Sequence, residues 1–324
     1  MKRFTHLFLS IGSGILLWAA WPVSPLTFLI FFAWIPLLWV ETKVKSKRRF
    51  FGLTYITMFV WNVTTTWWIW NASEIGAIMA FFANSLLMCL PWLGFKIVKN
   101  RLGDNTGYLA LIAFWMCFEF IHLQDWGLSW PWLTLGNVFA THPHWIEWYE
   151  YTGTSGGTFW ILLVNIFLFA QIKNRFKPKE EKTPRPILIG SIILIVPFLI
   201  SFLDGIHKKP DGKPTNVVVV QPNIDPYEKI SPGTFEEQLS KLIQLSEQAI
   251  DSSTVLVVWP ETALYTGAGI IEDKMKEYSD LNPLWGFLQR HPSINLFTGI
   301  ESIRIYDNKI NSTVKEAPGG LYYD

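Results

Sequence analysis

Charged residues are scarce in this sequence, 16% against 50% hydrophobic, where a soluble domain carries about a quarter. That balance excludes an ordinary soluble globular protein for much of the chain. Basic residues form no clustered face and the formal net charge is only +1, so a nucleic-acid partner is not expected. Cysteine is nearly absent. The two present, Cys89 and Cys117, lie in apolar runs, which leaves neither a disulfide framework nor a metal-ligand spacing. No cofactor motif, internal repeat or low-complexity segment stands out.

Apolar length is what the chain has in abundance. A span needs about 20 mostly apolar residues, and seven runs approach that: Leu7 to Trp21, Leu26 to Val40, Phe50 to Trp70, Ile75 to Val98, Tyr108 to Ile121, Phe159 to Ile172 and Ile187 to Leu203. The first follows Met1-Lys2-Arg3 and could be a signal peptide, but Trp18-Ala-Ala-Trp21-Pro22 is a poor small-residue cleavage site. An uncleaved helix is the better reading. Seven predicted transmembrane helices therefore fill residues 1–205, and residues 206–324 change to a mixed charged and apolar text.

Lys and Arg in short loops mark the cytoplasmic side. They cluster after the second run (Lys43, Lys45, Lys47, Arg48, Arg49), the fourth (Lys96, Lys99, Arg101) and the sixth (Lys173, Arg175, Lys177, Lys179, Lys182, Arg185). The loops after the first, third and fifth carry none. An odd number of crossings puts the N-terminus in the cytoplasm and residues 206–324 on the opposite side. The loop from Trp126 to Tyr151, rich in tryptophan, reads as an interfacial belt or, more sharply, as a surface meeting lipid. Glu119, near the end of an apolar run, invites a functional reading; its plainer role is a carboxylate paired with a neighbouring polar group. Asn62, Asn84 and Asn165 suit interhelical hydrogen bonds.

Beyond Asn216 strand and helix alternate. Val217 to Gln221 and Val255 to Trp259 read as buried strands, and Ile294 to Ile300 as a third. Between the first two, Thr234 and Glu237 form a candidate capping box before a helix carrying Phe235, Leu239, Leu242 and Ile243. Strand, helix and strand in that order predict parallel pairing. Ile303 to Ile305 is expected to pair with Ile310 to Val314 as a hairpin around Asp307-Asn308. Functional groups gather at the carboxyl ends of such strands, and the second ends in Trp259-Pro260-Glu261-Thr262. A partly buried carboxylate there suits general-base work; on spacing alone, Glu261 is more simply a solvated loop residue.

The segments VVVVQPNIDPYEK and VLVVWPETALY, with LFTGIES and the pair Asn311-Ser312 downstream, and FGLTYITMFVWNVTTTWWIW, CFEFIHLQDWGLSWPWLTLGN and YTGTSGGTFWILLVN in the apolar half, together resemble the apolipoprotein N-acyltransferase family. That resemblance covers the whole chain. It implies a multi-pass bacterial inner-membrane enzyme whose periplasmic part is a nitrilase-like α-β-β-α sandwich, here present in part over 206–324. It further implies that a cysteine takes an acyl chain from a membrane phospholipid as a thioester and passes it to the N-terminal diacylglyceryl-cysteine of an apolipoprotein, with Glu261 as catalytic base, and that the protein is a monomer. The family's lysine and cysteine lie downstream of the Asn-Ser pair, and neither has a counterpart here: no cysteine follows Cys117, and Lys309 and Lys315 read as solvated residues beside the expected hairpin. The chain as given is therefore expected to be C-terminally truncated and inactive in acyl transfer. His122 and Ile230 depart from residues common in the family. A membrane-tethered amidase or nitrilase, or a non-catalytic lipoprotein-binding scaffold, are the alternatives.

Overall fold

The computed structural model describes residues 3–22, 24–124, 127, 129–176, 178, 180, 187–207, 212–225, 231, 233–267, 269–311, 313–317 and 321–323. Two compact units divide the chain, Met1–Pro210 and Asp211–Asp324.

The first unit is helical: α1 (Arg3–Ala20), α2 (Ile35–Lys43), α3 (Lys47–Thr66), α4 (Glu74–Leu102), α5 (Asp104–His122), α6 (Tyr149–Arg175) and α7 (Ile187–His207). Within it α4, α6 and the stretch Leu188–Gly205 of α7 are long and apolar enough to cross a membrane, and Phe4–Ala20 is a shorter apolar helix. The chain is a membrane protein. Its core is aromatic: Trp34, Trp61, Trp92 and Trp115 are fully buried and meet edge-on, tilted or, for Trp61 and Trp115, stacked, at centroid distances of 5.1 to 6.5 Å. Such pairs add about 0.5–1.5 kcal/mol each beyond burial.

The second apolar run does not form one continuous span. A 3-10 turn at Thr27–Phe31 precedes α2, whose first turn carries Pro36. Backbone groups freed by such a break must be satisfied internally in an apolar setting, and Asn165 of α6 does this twice. Its Oδ1 accepts from Trp34 N at 2.9 Å and its Nδ2 donates to Ile30 O at 2.8 Å. In α4 a π turn at Ala80–Asn84, followed by Pro91, interrupts the α ladder, and Asn84 Nδ2 donates to Asn62 Oδ1 of α3 at 2.8 Å. These asparagines bridge helices, as their positions predict.

The second unit holds β1 (Asn216–Val219), α8 (Phe235–Ala249), β2 (Thr254–Val258), β3 (Ile270–Ile271), α9 (Asn282–Arg290), β4 (Asn295–Phe297), β5 (Ser302–Ile303), β6 (Ile305–Tyr306), β7 (Lys315–Ala317) and β8 (Leu321–Tyr323). The main sheet has the order β1-β2-β4, all parallel. Buried Leu239, Leu242, Ile243 and Ser246 recur at helical spacing on α8, the stripe of an amphipathic helix. Ser246 Oγ accepts from Trp259 Nε1 at 2.8 Å, tying α8 to the end of β2. Fully burying a side chain such as Leu242 or Phe287 stabilises by roughly 1.5–3 kcal/mol, and Leu242→Ala would cost about 2–5 kcal/mol.

Two local expectations fail here. The capping box is not formed: Thr234 has helical backbone angles, and its Oγ1 donates to Ser231 O and accepts from Gln238 Nε2, each at 2.8 Å. Among the described residues the hairpin does not form either: β8 lies between β6 and β7 and pairs antiparallel with both. A strand remote in sequence outcompetes the local partner, since Asn311 instead closes a turn by accepting from Thr313 N and Val314 N at 3.0 and 3.1 Å. Ser312 and Ile230 lie outside the described residues.

Candidate functional site

At the ends of β1, β2 and β4 stands Glu261, the one catalytic candidate read from the sequence. Val220 N donates to Val258 O and Trp259 N to Phe297 O, both at 2.9 Å, so the parallel register continues past the strands. Trp259 is buried, and Pro260 then ends the ladder because it has no N–H to give. Glu261 follows at the carboxyl end of the central strand, with its side chain exposed. This exposure agrees with the solvated loop residue that the spacing suggests, not with the partly buried carboxylate of the sharper reading.

Its backbone, by contrast, is firmly held. Leu264 N donates to Gly299 O and Glu301 N to Leu264 O, both at 3.1 Å, and Gly299 N reaches Pro260 O at 3.3 Å. A Cβ on Gly299 would stand 2.5 Å from Thr262 N and 2.8 Å from Glu261 Cα. Only glycine lets the two chains approach this closely. Thr262 adopts φ 53°, a left-handed conformation rare for a β-branched residue. Asn223, past the end of β1, adopts φ 49°. Strained backbone of this kind persists where surrounding structure over-determines it, and it gathers at functional sites. Beside these turns a cavity of about 170 Å3 is lined by Gln221, Pro222, Asn223, Gln238, Leu242 and Pro260.

Gly299 and Asn223 are not singled out in the sequence, and Thr262 is named there only as part of the Trp259-Pro260-Glu261-Thr262 turn. A glycine inside an apparent strand, as in Thr298-Gly299-Ile300, is the signal that could have found the first; the other two are set by contacts distant in sequence. Lys309 and Lys315 are exposed, Lys315 on β7.

In the helical unit Glu119 is buried and its carboxyl group accepts three hydrogen bonds, from Trp115 Nε1 (2.8 Å), Leu135 N (2.8 Å) and Thr158 Oγ1 (2.6 Å). Thr158 Oγ1 in turn accepts from Gly136 N at 3.1 Å, and Tyr149 OH donates to Gly136 O at 2.9 Å. Glu119 thus fastens the turn at Leu135–Phe139 to α5 and α6, the plainer of the two roles its position suggests. His122 is also buried, and its Nδ1 accepts from Trp130 N at 2.8 Å. In the tryptophan-rich loop, Trp148 is buried and Trp145 packs on Phe139 and Phe198. Of the described tryptophans there, Trp132 alone is exposed; Trp126 lies outside the described residues.

A helical membrane unit, continued in the same chain by a parallel α/β unit with a carboxylate at its strand ends, defines a class of membrane protein carrying an α/β appendage. Comparison with known proteins makes this specific. Residues 13–167 match the model of the apolipoprotein N-acyltransferase N-terminal domain. That match spans 155 of the 324 residues, and over it the chain resembles the apolipoprotein N-acyltransferase family. It is similar to the apolipoprotein N-acyltransferase of Chlorobaculum tepidum, 30% identical over 270 residues, which cover 79% of this chain and 49% of the relative. The enzyme of Geobacter metallireducens is 28% identical over 279 residues (79% and 50%), and that of Pseudomonas putida 25% over 300 residues (86% and 54%). The chain spans about half the length of the curated relatives it matches.

Proposed function

We propose that this chain works in the N-acylation of lipoproteins, with Glu261 as the general base. In this reading the seven apolar runs cross the bacterial inner membrane, the second of them as a broken helix, the N-terminus is cytoplasmic, and residues 206–324 belong to a periplasmic nitrilase-like domain. The substrates are a membrane phospholipid as acyl donor and a diacylated apolipoprotein as acceptor, and the working unit is a monomer. The observation that carries the proposal is the placement of Glu261 at the carboxyl end of the central parallel strand, on a backbone fixed by its contact with Gly299.

The chemistry asked of Glu261 is proton transfer. Neither cysteine of this chain lies in the α/β unit, so the thiol is the one that the relative's segment supplies in the chimaera below: the Glu261 carboxylate takes its proton, the thiolate attacks the phospholipid ester carbonyl, and the departing alcohol of the lysophospholipid takes the proton back. In the second half the α-amino group of the acceptor attacks the thioester, loses its proton to Glu261, and the thiol is restored. Dividing the transfer at a thioester replaces one difficult step by two easier ones, and a positioned base contributes about 10²–10⁴-fold.

The test uses a chimaera in which this chain replaces the matching segment of the Chlorobaculum tepidum relative. Supplied with a phospholipid labelled in its acyl chain and a diacylated lipopeptide, the chimaera should transfer label to the peptide. Glu261→Gln should abolish both transfer and the labelled thioester. Thioester formation at the unmutated rate in Glu261→Gln sinks the assignment, and a chimaera that binds the peptide but never transfers label favours a non-catalytic scaffold.

A further inference from the structure

Six charged groups meet where the carboxyl-terminal ends of α2, α4 and α6 converge. Glu41 of α2 is buried and is shared by two buried lysines of α4. Lys96 Nζ donates to Glu41 Oε1 at 2.7 Å and to Glu41 O at 2.8 Å, and Lys99 Nζ donates to Glu41 Oε2. Lys99 also lies 3.7 Å from Asp104 Oδ1, whose other oxygen accepts from Lys173 Nζ of α6 at 2.6 Å. These residues border a cavity of about 290 Å3, lined by Glu41, Thr42, Lys45, Lys96, Lys99 and Lys173 together with Val44 and Asn100. Lys45 stands exposed on its rim and has no ion-pair partner among the described residues.

The four ammonium groups outnumber the two carboxylates. The carbonyl ends of the three helices, each equivalent to roughly half a negative charge, offset part of the excess, and Lys96 is already committed to one such carbonyl, Glu41 O. Lys45 is left unmatched. A buried cation whose charge is only partly matched is costly, and Lys96 and Lys99 are both more than nine-tenths buried. An ammonium group has three donors; two of those on Lys96 are used by Glu41. The carboxamide of Asn100 and the hydroxyl of Thr42 add neutral donors on the same wall. The volume is roughly ten times the ~30 Å3 that one water takes in the liquid. Space, spare donors and excess positive charge coincide at lysine-rich helix ends of the kind that meet a bilayer surface, where basic pockets between helices hold anionic headgroups.

We propose that this cavity is a phosphate-binding site that takes the phosphodiester of an anionic phospholipid, such as phosphatidylglycerol, from the leaflet at the lysine-rich ends of the helices. The site stands apart from Glu261 and is independent of acyl transfer. Lys45 closes over the phosphate from the rim, while Lys96 and Lys99 supply fixed charge from beneath.

The experiment compares the whole chain in nanodiscs of phosphatidylcholine with and without phosphatidylglycerol, followed by extraction into mild detergent and counting of retained lipid by native mass spectrometry. The unmutated chain should retain one phosphatidylglycerol. Lys45→Gln combined with Asn100→Leu, both at exposed positions, should weaken retention roughly tenfold or more, since each lost bond to a charged group contributes about that factor. Arg48→Gln removes the same charge outside the cavity and should retain the lipid. Thermal midpoints in pure phosphatidylcholine, expected to be equal for the three proteins, exclude misfolding as the cause. Equal retention by the double variant, or equal loss in Arg48→Gln, overturns the site. A midpoint raised in detergent by millimolar inorganic phosphate, with no phosphatidylglycerol retained, keeps the phosphate chemistry and overturns its lipid source.

Discussion

Replacing Glu119 by leucine removes one acceptor group and strands three buried donors at once: Trp115 Nε1, Leu135 N and Thr158 Oγ1. A hydrogen bond to a charged group contributes about 1.5–3 kcal/mol, and an unsatisfied buried donor costs about 1–3 kcal/mol. Three such losses do not add fully, because the donors share one network, so Glu119→Leu should destabilise the helical unit by roughly 4 kcal/mol. Glu119→Gln is the control. Its carboxamide oxygen can keep the bonds from Trp115 and Leu135, and only the Thr158 hydroxyl must find another acceptor, which limits the loss to about 1 kcal/mol. Thr158→Val severs the bond to Glu119 and also the one from Gly136 N, and should cost about 2 kcal/mol. The double variant Glu119→Leu/Thr158→Val should then fall short of the sum of the singles by about 1 kcal/mol or more, the coupling of two residues in direct contact. Unfolding in detergent, read by tryptophan fluorescence, measures all four proteins. Equal stability of the leucine and glutamine variants, or strict additivity in the cycle, refutes the claim that Glu119 is the shared acceptor of this joint.

Gly299→Ala should destabilise the α/β unit by about 1–3 kcal/mol through overpacking, because the new Cβ meets backbone atoms of Glu261 and Thr262 rather than a movable side chain; denaturant unfolding of the chain checks it, and a neutral result contradicts the close approach. Glu41→Gln leaves two buried ammonium groups facing a neutral amide and should cost about 3–5 kcal/mol, whereas converting Glu41, Lys96 and Lys99 together to methionine should recover most of that loss, both read as thermal midpoints in detergent. Asp251 gives a pH signature: bonds from the Ser253 hydroxyl, Thr254, the Ser253 amide and Asn216 hold its carboxyl down to about 2, below the ordinary value of about 3.9. Its folded-state value is depressed, so its stabilising contribution is present above about pH 4 and is lost as pH falls toward 2. Asp251→Asn should flatten the stability profile in that window, and an unchanged slope by circular dichroism denies the turn its role.

Much of this architecture is legible in the residues. Runs of β-branched residues separated by an amphipathic stripe are sufficient to predict a parallel β1-β2 pair, because no other pairing spans that crossover. Glu119, Asn62, Asn84 and Asn165 stand out because polar groups in apolar helices must find partners. What escapes the reading depends on contacts remote in sequence. Leu26 to Val40 is apolar enough for a span, yet it breaks because Asn165 supplies the acceptor and donor that a continuous helix would have supplied itself. The expected hairpin yields to β8, which local periodicity cannot foresee. At the strand ends the sequence marks Glu261 but not the glycine that fixes its backbone. Lys96 and Lys99 read simply as loop charges that report sidedness, although both are buried against Glu41.

The clamp formed by Asn165 also orders the events of biosynthesis. The backbone at Ile30 and Trp34 leaves the ribosome long before the side chain that satisfies it, since the two bonds span 135 and 131 residues. Until α6 has emerged and docked, Trp34 N is an open donor in an apolar setting and Ile30 O keeps its long bond from Ala33 N at 3.4 Å. The N-terminal helices are therefore inserted first and completed late, and a nascent chain halted before residue 165 should hold them in a protease-sensitive, provisional arrangement.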